Sequence, residues 1–227
     1  MADATVPKTM KRSHSLLLAH AATPLAGIRD PSESDPLRIL LSGCLAGLNC
    51  GVDGTDYGMG GMLTSLTSLP TAACVSFCPE DHALGTPRAM PDIHGGDGFD
   101  VLDGRARILD QHGDDLTAAM LKGAEAMLDF ARGHGAEIAI LTDMSAACGS
   151  QVISDGCRLK EERRYRAGVG VATALLLRAG IPAVAQRDHR TLELLRQKLD
   201  PGFVPDGSAR DHHEGDWYRD HFGEPLV

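Results

Sequence analysis

Aromatic residues are scarce in this 227-residue chain, at 4% of the total with a single Trp. The core must therefore be aliphatic, and a platform for stacking bases is excluded. No run of about 18 apolar residues exists, which excludes a transmembrane helix and a membrane partner. The C-x-x-C spacing of zinc knuckles is missing. So are G-x-x-x-x-G-K-[ST] and a strand-linked G-x-G-x-x-G, and with them the case for a nucleotide-binding loop. Cations are in short supply: 22 Lys plus Arg stand against 31 Asp plus Glu, a net charge of −9. Phosphate backbones need clustered cations, so large nucleic acid is not an expected partner.

What is present suits one domain with tails. Residues 1–36 lack a sustained period and contain Pro24, Pro31 and Pro36, and they read as a flexible leader. Lys8, Lys11 and Arg12 before Ser15–Ala22 faintly imitate a signal peptide, but His20 interrupts a short apolar run. We expect a cytoplasmic protein, in which cysteines serve metal or redox chemistry rather than disulfides. A single α/β domain is expected over 37–200, followed by a polar tail over 201–227. The adjacent His212 and His213 fall in that tail and read as surface.

Within the domain, Leu37–Ser42, Thr71–Phe77 and Glu137–Thr142 are near-continuous apolar runs, which suits strands buried on both faces. Ile181–Ala185 is a fourth candidate. Helices are expected near Met62–Leu69, over Leu116–Arg132, over Val169–Arg178 and near Thr191–Lys198. Phe99–Leu109, with Asp103-Gly104 at its centre, predicts a β-hairpin. Strands alternating with helices give a mainly parallel sheet of about four to five strands, with helices on both faces.

Three of the six cysteines take equivalent places. Cys44 follows the first strand, Cys78 the second, and Cys148 lies a few residues past the third. The carboxyl ends of parallel strands share one edge, and ligands bind there. The trio therefore argues for three thiolates around one metal centre. Glycines beside Cys44 and Cys148 let backbone approach such a centre closely. Cys74, mid-strand, reads as core, and Cys157 lies in a turn without an evident partner. Cys50 is either a reserve ligand or a second thiol beside the site. Zinc on Cys44, Cys50, Cys78 and Cys148 is chemically open. Glu80 stands two residues past Cys78, where a carboxylate can act as general acid or base, or sit solvated at a loop start. Ser145 can hold a substrate atom or cap a turn. Arg88, in Thr86-Pro87-Arg88, offers a cation on a rigid loop.

The ordered set Ser42-Gly-Cys-Leu-Ala-Gly-Leu-Asn-Cys50, Asp53-Gly54, Cys78-Pro-Glu80, Thr86-Pro-Arg88 and Ser145-Ala-Ala-Cys-Gly149 resembles the small bacterial domain family that includes the thiouracil desulfidases. The resemblance spans about 38–190. It implies a [4Fe–4S] cluster held by Cys44, Cys78 and Cys148, whose free iron takes the thiocarbonyl sulfur of a thiolated pyrimidine. It also implies a glutamate and a serine near the substrate, which map to Glu80 and Ser145, with Ser42, Cys50 and Arg88 on the substrate side. The expected reaction is replacement of sulfur by oxygen with release of sulfide. One departure is that Ser145-Ala-Ala-Cys148 stands where the family commonly has Ser-Pro-Ser-Cys. A rival reading keeps the thiolates but makes the protein an iron–sulfur or zinc module that stores or delivers metal or sulfide, with no need for Glu80.

Overall fold

The structure is a computed structural model, and it describes residues 25–223. The signal-like run and most of the expected leader lie outside the described residues. Eight strands follow in chain order: β1 (Leu37–Ser42), β2 (Ala72–Phe77), β3 (Asp92–His94), β4 (Arg107–Leu109), β5 (Ile138–Leu141), β6 (Val152–Ser154), β7 (Tyr165–Ala167) and β8 (Ala183–Ala185). Four of them form a parallel sheet in the order β2-β1-β5-β8. Register is set by Ile39, which faces Cys74 on one side and Ile138 on the other.

Successive residues in a strand point to opposite faces, and both faces of this sheet are covered. Leu40, Ala139 and Leu141 pack against Met120, Met127 and Leu176, from the helices Thr117–Gly133 and Val171–Arg178. Ile39, Leu41, Ile138, Ile140 and Val184 face the other way, onto Leu195 and Leu199 of the His189–Leu199 helix and Leu66 of a one-turn helix. Every one of those strand residues is at most 3% exposed, which is why their sequence is apolar at every position rather than alternating. No helix among the described residues is long and apolar enough to cross a membrane.

The expected hairpin over 99–109 is replaced by something else. Asp97 accepts the Phe99 and Asp100 N–H groups, and Asp100 accepts the Asp97 N–H in return. This reciprocal cap starts a helix over Gly98–Leu102, and Asp103-Gly104 ends that helix instead of turning a hairpin. Of the expected strand pair only Arg107–Leu109 survives, and it pairs antiparallel with Asp92–His94. A second antiparallel pair joins β6 to β7.

Both expected tails are docked where they are described. Arg29, in the leader, donates from Nε to Glu137 at 2.6 Å, and Leu25 and Ile28 pack on the Leu195 face of the sheet. At the other end, the 3₁₀ turn His212–Glu214 and the helix Asp216–Phe222 lie against the domain. His212, expected on the surface, is buried, and His213 is half-buried. A carboxylate beneath it, described below, accounts for the difference.

Candidate active site

All four parallel strands deliver residues to one cavity of about 310 Å³. β1 ends in Ser42, and past it come Gly43 and Cys44. Past β2 come Cys78 and Glu80. Past β5 come Thr142, Asp143, Ser145 and Cys148, and past β8 come Gln186 and Arg187. From β1 the chain goes to β2 on one side, then crosses to β5 on the other. The connections diverge there, and that opens the crevice. Cys44 and Thr142 meet across it, 2.9 Å from Sγ to Oγ1, while Ser42 Oγ accepts the Thr142 N–H at 3.0 Å.

The three thiols expected at the strand ends thus line one cavity, with Cys50 among them. Cys44 is drawn down to about 7, chiefly by a hydrogen bond from Cys50 and against the effect of burial, with Thr142 helping. Cys78 is lowered for the same first reason, and its Sγ accepts the Asp81 N–H at the start of the Pro79–Leu84 helix. Cys50 pays the other side of that exchange: its proton is held between Cys44 and Cys78, and its pKa is raised. Burial, then the charge at Cys78, pushes Cys148 well up. A bound cation would reverse that last effect, since thiolates are the metal-ligating form. Gly43 makes room for the group: a Cβ there would lie 3.0 Å from Cys50 Sγ and 3.2 Å from Cys78 Cβ.

The donor set therefore fits a thiolate-held cluster. Among the described residues, no group of three or more His, Cys, Asp or Glu is arranged to hold a single metal ion. Cys74 is apart from the cavity, and burial lifts it to about 11.

Glu80 sits buried between two partners. Ser145 Oγ donates to Oε1 at 2.8 Å, and Arg88 Nη2 donates to Oε2 at 2.9 Å. Ser145 Oγ also accepts the Ala147 and Cys148 N–H groups, so the same hydroxyl shapes the loop that carries Cys148. Arg88 is no surface cation. Its side chain is 5% exposed, and its Nη1 donates to Gly85 O and Thr86 Oγ1.

Several cavity residues escaped the sequence reading. Thr142, Asp143, Gln186 and Arg187 directly follow β5 and β8, so the strand-end rule that found the cysteines would have found them too. Tyr57 and Arg158, which also line the cavity, carried no signal of their own. A wider groove of about 870 Å³, between the His189–Leu199 helix and residues 206–215, contains no thiol.

Comparison with known proteins agrees with this geometry. The family model of 2-thiouracil desulfurase matches residues 39–188. The uncharacterized protein YbbK of Bacillus subtilis (strain 168) is 35% identical over 153 residues, which cover 66% of this chain and 96% of that one. The solved structure of the [4Fe-4S]-dependent thiouracil desulfidase TudS superposes with a TM-score of 0.57 at 31% identity, covering 70% of this chain and 96% of TudS. Strand-end thiols, the Glu80–Ser145 pair and the sheet that carries them all fall inside the matched residues, and the chain belongs to the 2-thiouracil desulfurase family.

Proposed function

We propose that the protein is a desulfidase that replaces the sulfur of a thiolated pyrimidine, a 2-thiouracil-like base or nucleoside, by oxygen and releases sulfide. The observation that carries this reading is the meeting of Cys44, Cys78 and Cys148 with the Ser145–Glu80 pair on one cavity. The cluster dependence of TudS supports a [4Fe–4S] cluster on these three thiolates. Such a cluster, when bound, supplies a Lewis-acidic iron to the thiocarbonyl sulfur and makes the ring carbon electrophilic.

The chain's own residues do the rest. Ser145 keeps its hydroxyl proton on Glu80 and its oxygen on the Ala147 and Cys148 N–H groups, which fixes the base against the loop of the third thiol. Glu80 takes a proton from the water that adds to the carbon. Arg88 holds the Glu80 carboxylate in place. Water's oxygen stays on the carbon, and sulfur leaves as sulfide with water's protons, so no electrons are exchanged with an external donor.

The test is anaerobic reconstitution followed by sulfide and uracil measurement with 2-thiouracil, without added reductant. Equal amounts of sulfide and uracil are expected. An intact cluster with no sulfide from 2-thiouracil or its nucleoside overturns the reading.

A further inference from the structure

The turn His212–Glu214 follows the family-matched residues, and yet its first residue bonds a side chain of the cavity wall. His212 is the point of entry. Its side chain is 8% exposed, and Nδ1 lies 2.6 Å from Asp143 Oδ2. Asp143 is fully buried and lines the cavity between Thr142 and Ser145. Its other oxygen, Oδ1, accepts the N–H groups of Ser150, Gln151 and Val152, each at 3.0 Å. Those three residues begin just past Cys148-Gly149. One carboxylate thus gathers the backbone behind the third thiol.

A carboxylate with three N–H groups on one oxygen is an acceptor only, so His212 Nδ1 carries the proton and donates. Its Nε2 is buried with no hydrogen-bond partner among the described residues, so the ring acts through Nδ1 alone. The segment is pinned around it. His212 N–H donates to Asp188 Oδ1 at 3.1 Å. Asp211 accepts the Thr191 N–H at 2.8 Å and the Thr191 hydroxyl at 2.7 Å. The His212 ring stacks on Trp217 at 5.5 Å, and that is the chain's only tryptophan.

We propose that His212 is a positioning residue of the desulfidase site: from a segment beyond the family match, it clamps the Asp143 carboxylate, which in turn holds the Ser150–Val152 backbone that follows Cys148. The proposal rests on the function proposed above, but the clamp itself can be read without turnover.

The experiment uses full-length, cluster-loaded protein and three variants. H212N keeps a donor where Nδ1 lies. H212Q moves the donor toward the Nε2 position. H212F keeps a ring for Trp217 and has no donor. Four quantities are read: Trp217 emission, amide exchange at Ser150–Val152, and kcat and KM for sulfide release. H212F is expected to keep wild-type Trp217 emission, and H212F and H212Q alike are expected to lose about tenfold or more of the exchange protection at 150–152 and about 10–100-fold in kcat. H212N is expected to recover most of both. Wild-type protection and kcat in H212F and H212Q overturn the proposal, as does an H212N as impaired as H212Q. If H212F does not fold, the H212N–H212Q pair decides alone. Absence of sulfide release from the wild type defeats the functional reading, and amide exchange then still judges the clamp.

Discussion

Glu80 owes its place to neighbours on either side, and its replacement separates the roles argued for it. E80Q keeps size and the Ser145 contact but removes the base. We expect wild-type iron content and a loss of about 10²–10⁴-fold in sulfide release; near-wild-type turnover would remove Glu80 from the acid–base role. Arg88 makes a different prediction. Its side chain and that of Glu80 are 5% and 10% exposed, so R88A leaves a carboxylate buried without its partner. The expected cost is about 3–5 kcal/mol in chemical denaturation. R88K should recover only part of it, because an ammonium cannot reach Glu80, Gly85 and Thr86 together. At this scale the sequence was readable where position carried the chemistry. Cys44, Cys78, Cys148 and Glu80 each stand at or just past a strand end. The pairing of Arg88 with Glu80 was not readable, because Thr86-Pro87-Arg88 looks the same on a surface loop as it does folded under a glutamate.

The strands β1 and β5 were legible because burial on both faces writes itself as a near-continuous apolar run, and β2, a half-buried edge strand, by its apolar centre of Ala, Cys and Val. The short elements β3, β6 and β7 have three residues each, too few for any period to declare itself. The segment 97–104 shows a local conflict. Asp103-Gly104 fits a hairpin turn and a helix end equally well, and the earlier Asp97/Asp100 cap decided it. At the junction of β8 and the following helix, Asp188 accepts from Ala185, His212 and the Gln151 side chain. Burial, then the charge of Asp211, nevertheless pushes its carboxyl up to about 7. A carboxyl whose folded pKa is raised binds its proton more tightly in the folded state. Its contribution is therefore most favourable near about pH 4 and is lost as pH rises toward about 7. Denaturation from about pH 5 to about pH 8 should cost the wild type more stability than D188N; parallel curves would assign the pH dependence to other groups.

Across the whole molecule, Cys44, Cys78 and Cys148 bring segments that follow three parallel strands to one cavity. A group bound there stabilises only the assembled sheet, and cluster loading should raise the melting temperature. The increment should vanish in C148A and persist in C74A, whose side chain lies mid-strand and away from the cavity; an increment of equal size in both would move the cluster elsewhere. The sheet also dictates an order in time. Its central strand gains β2 first, but Cys44 meets Thr142 only across 98 positions of chain, and Cys148 lies further on still. Contacts of such separation close late, after the local helices have formed. During synthesis, Cys44 and Cys78 leave the ribosome before the third thiol. A site that needs all three thiols is therefore complete only once the chain past Cys148 has joined the sheet, however early its first two members are made.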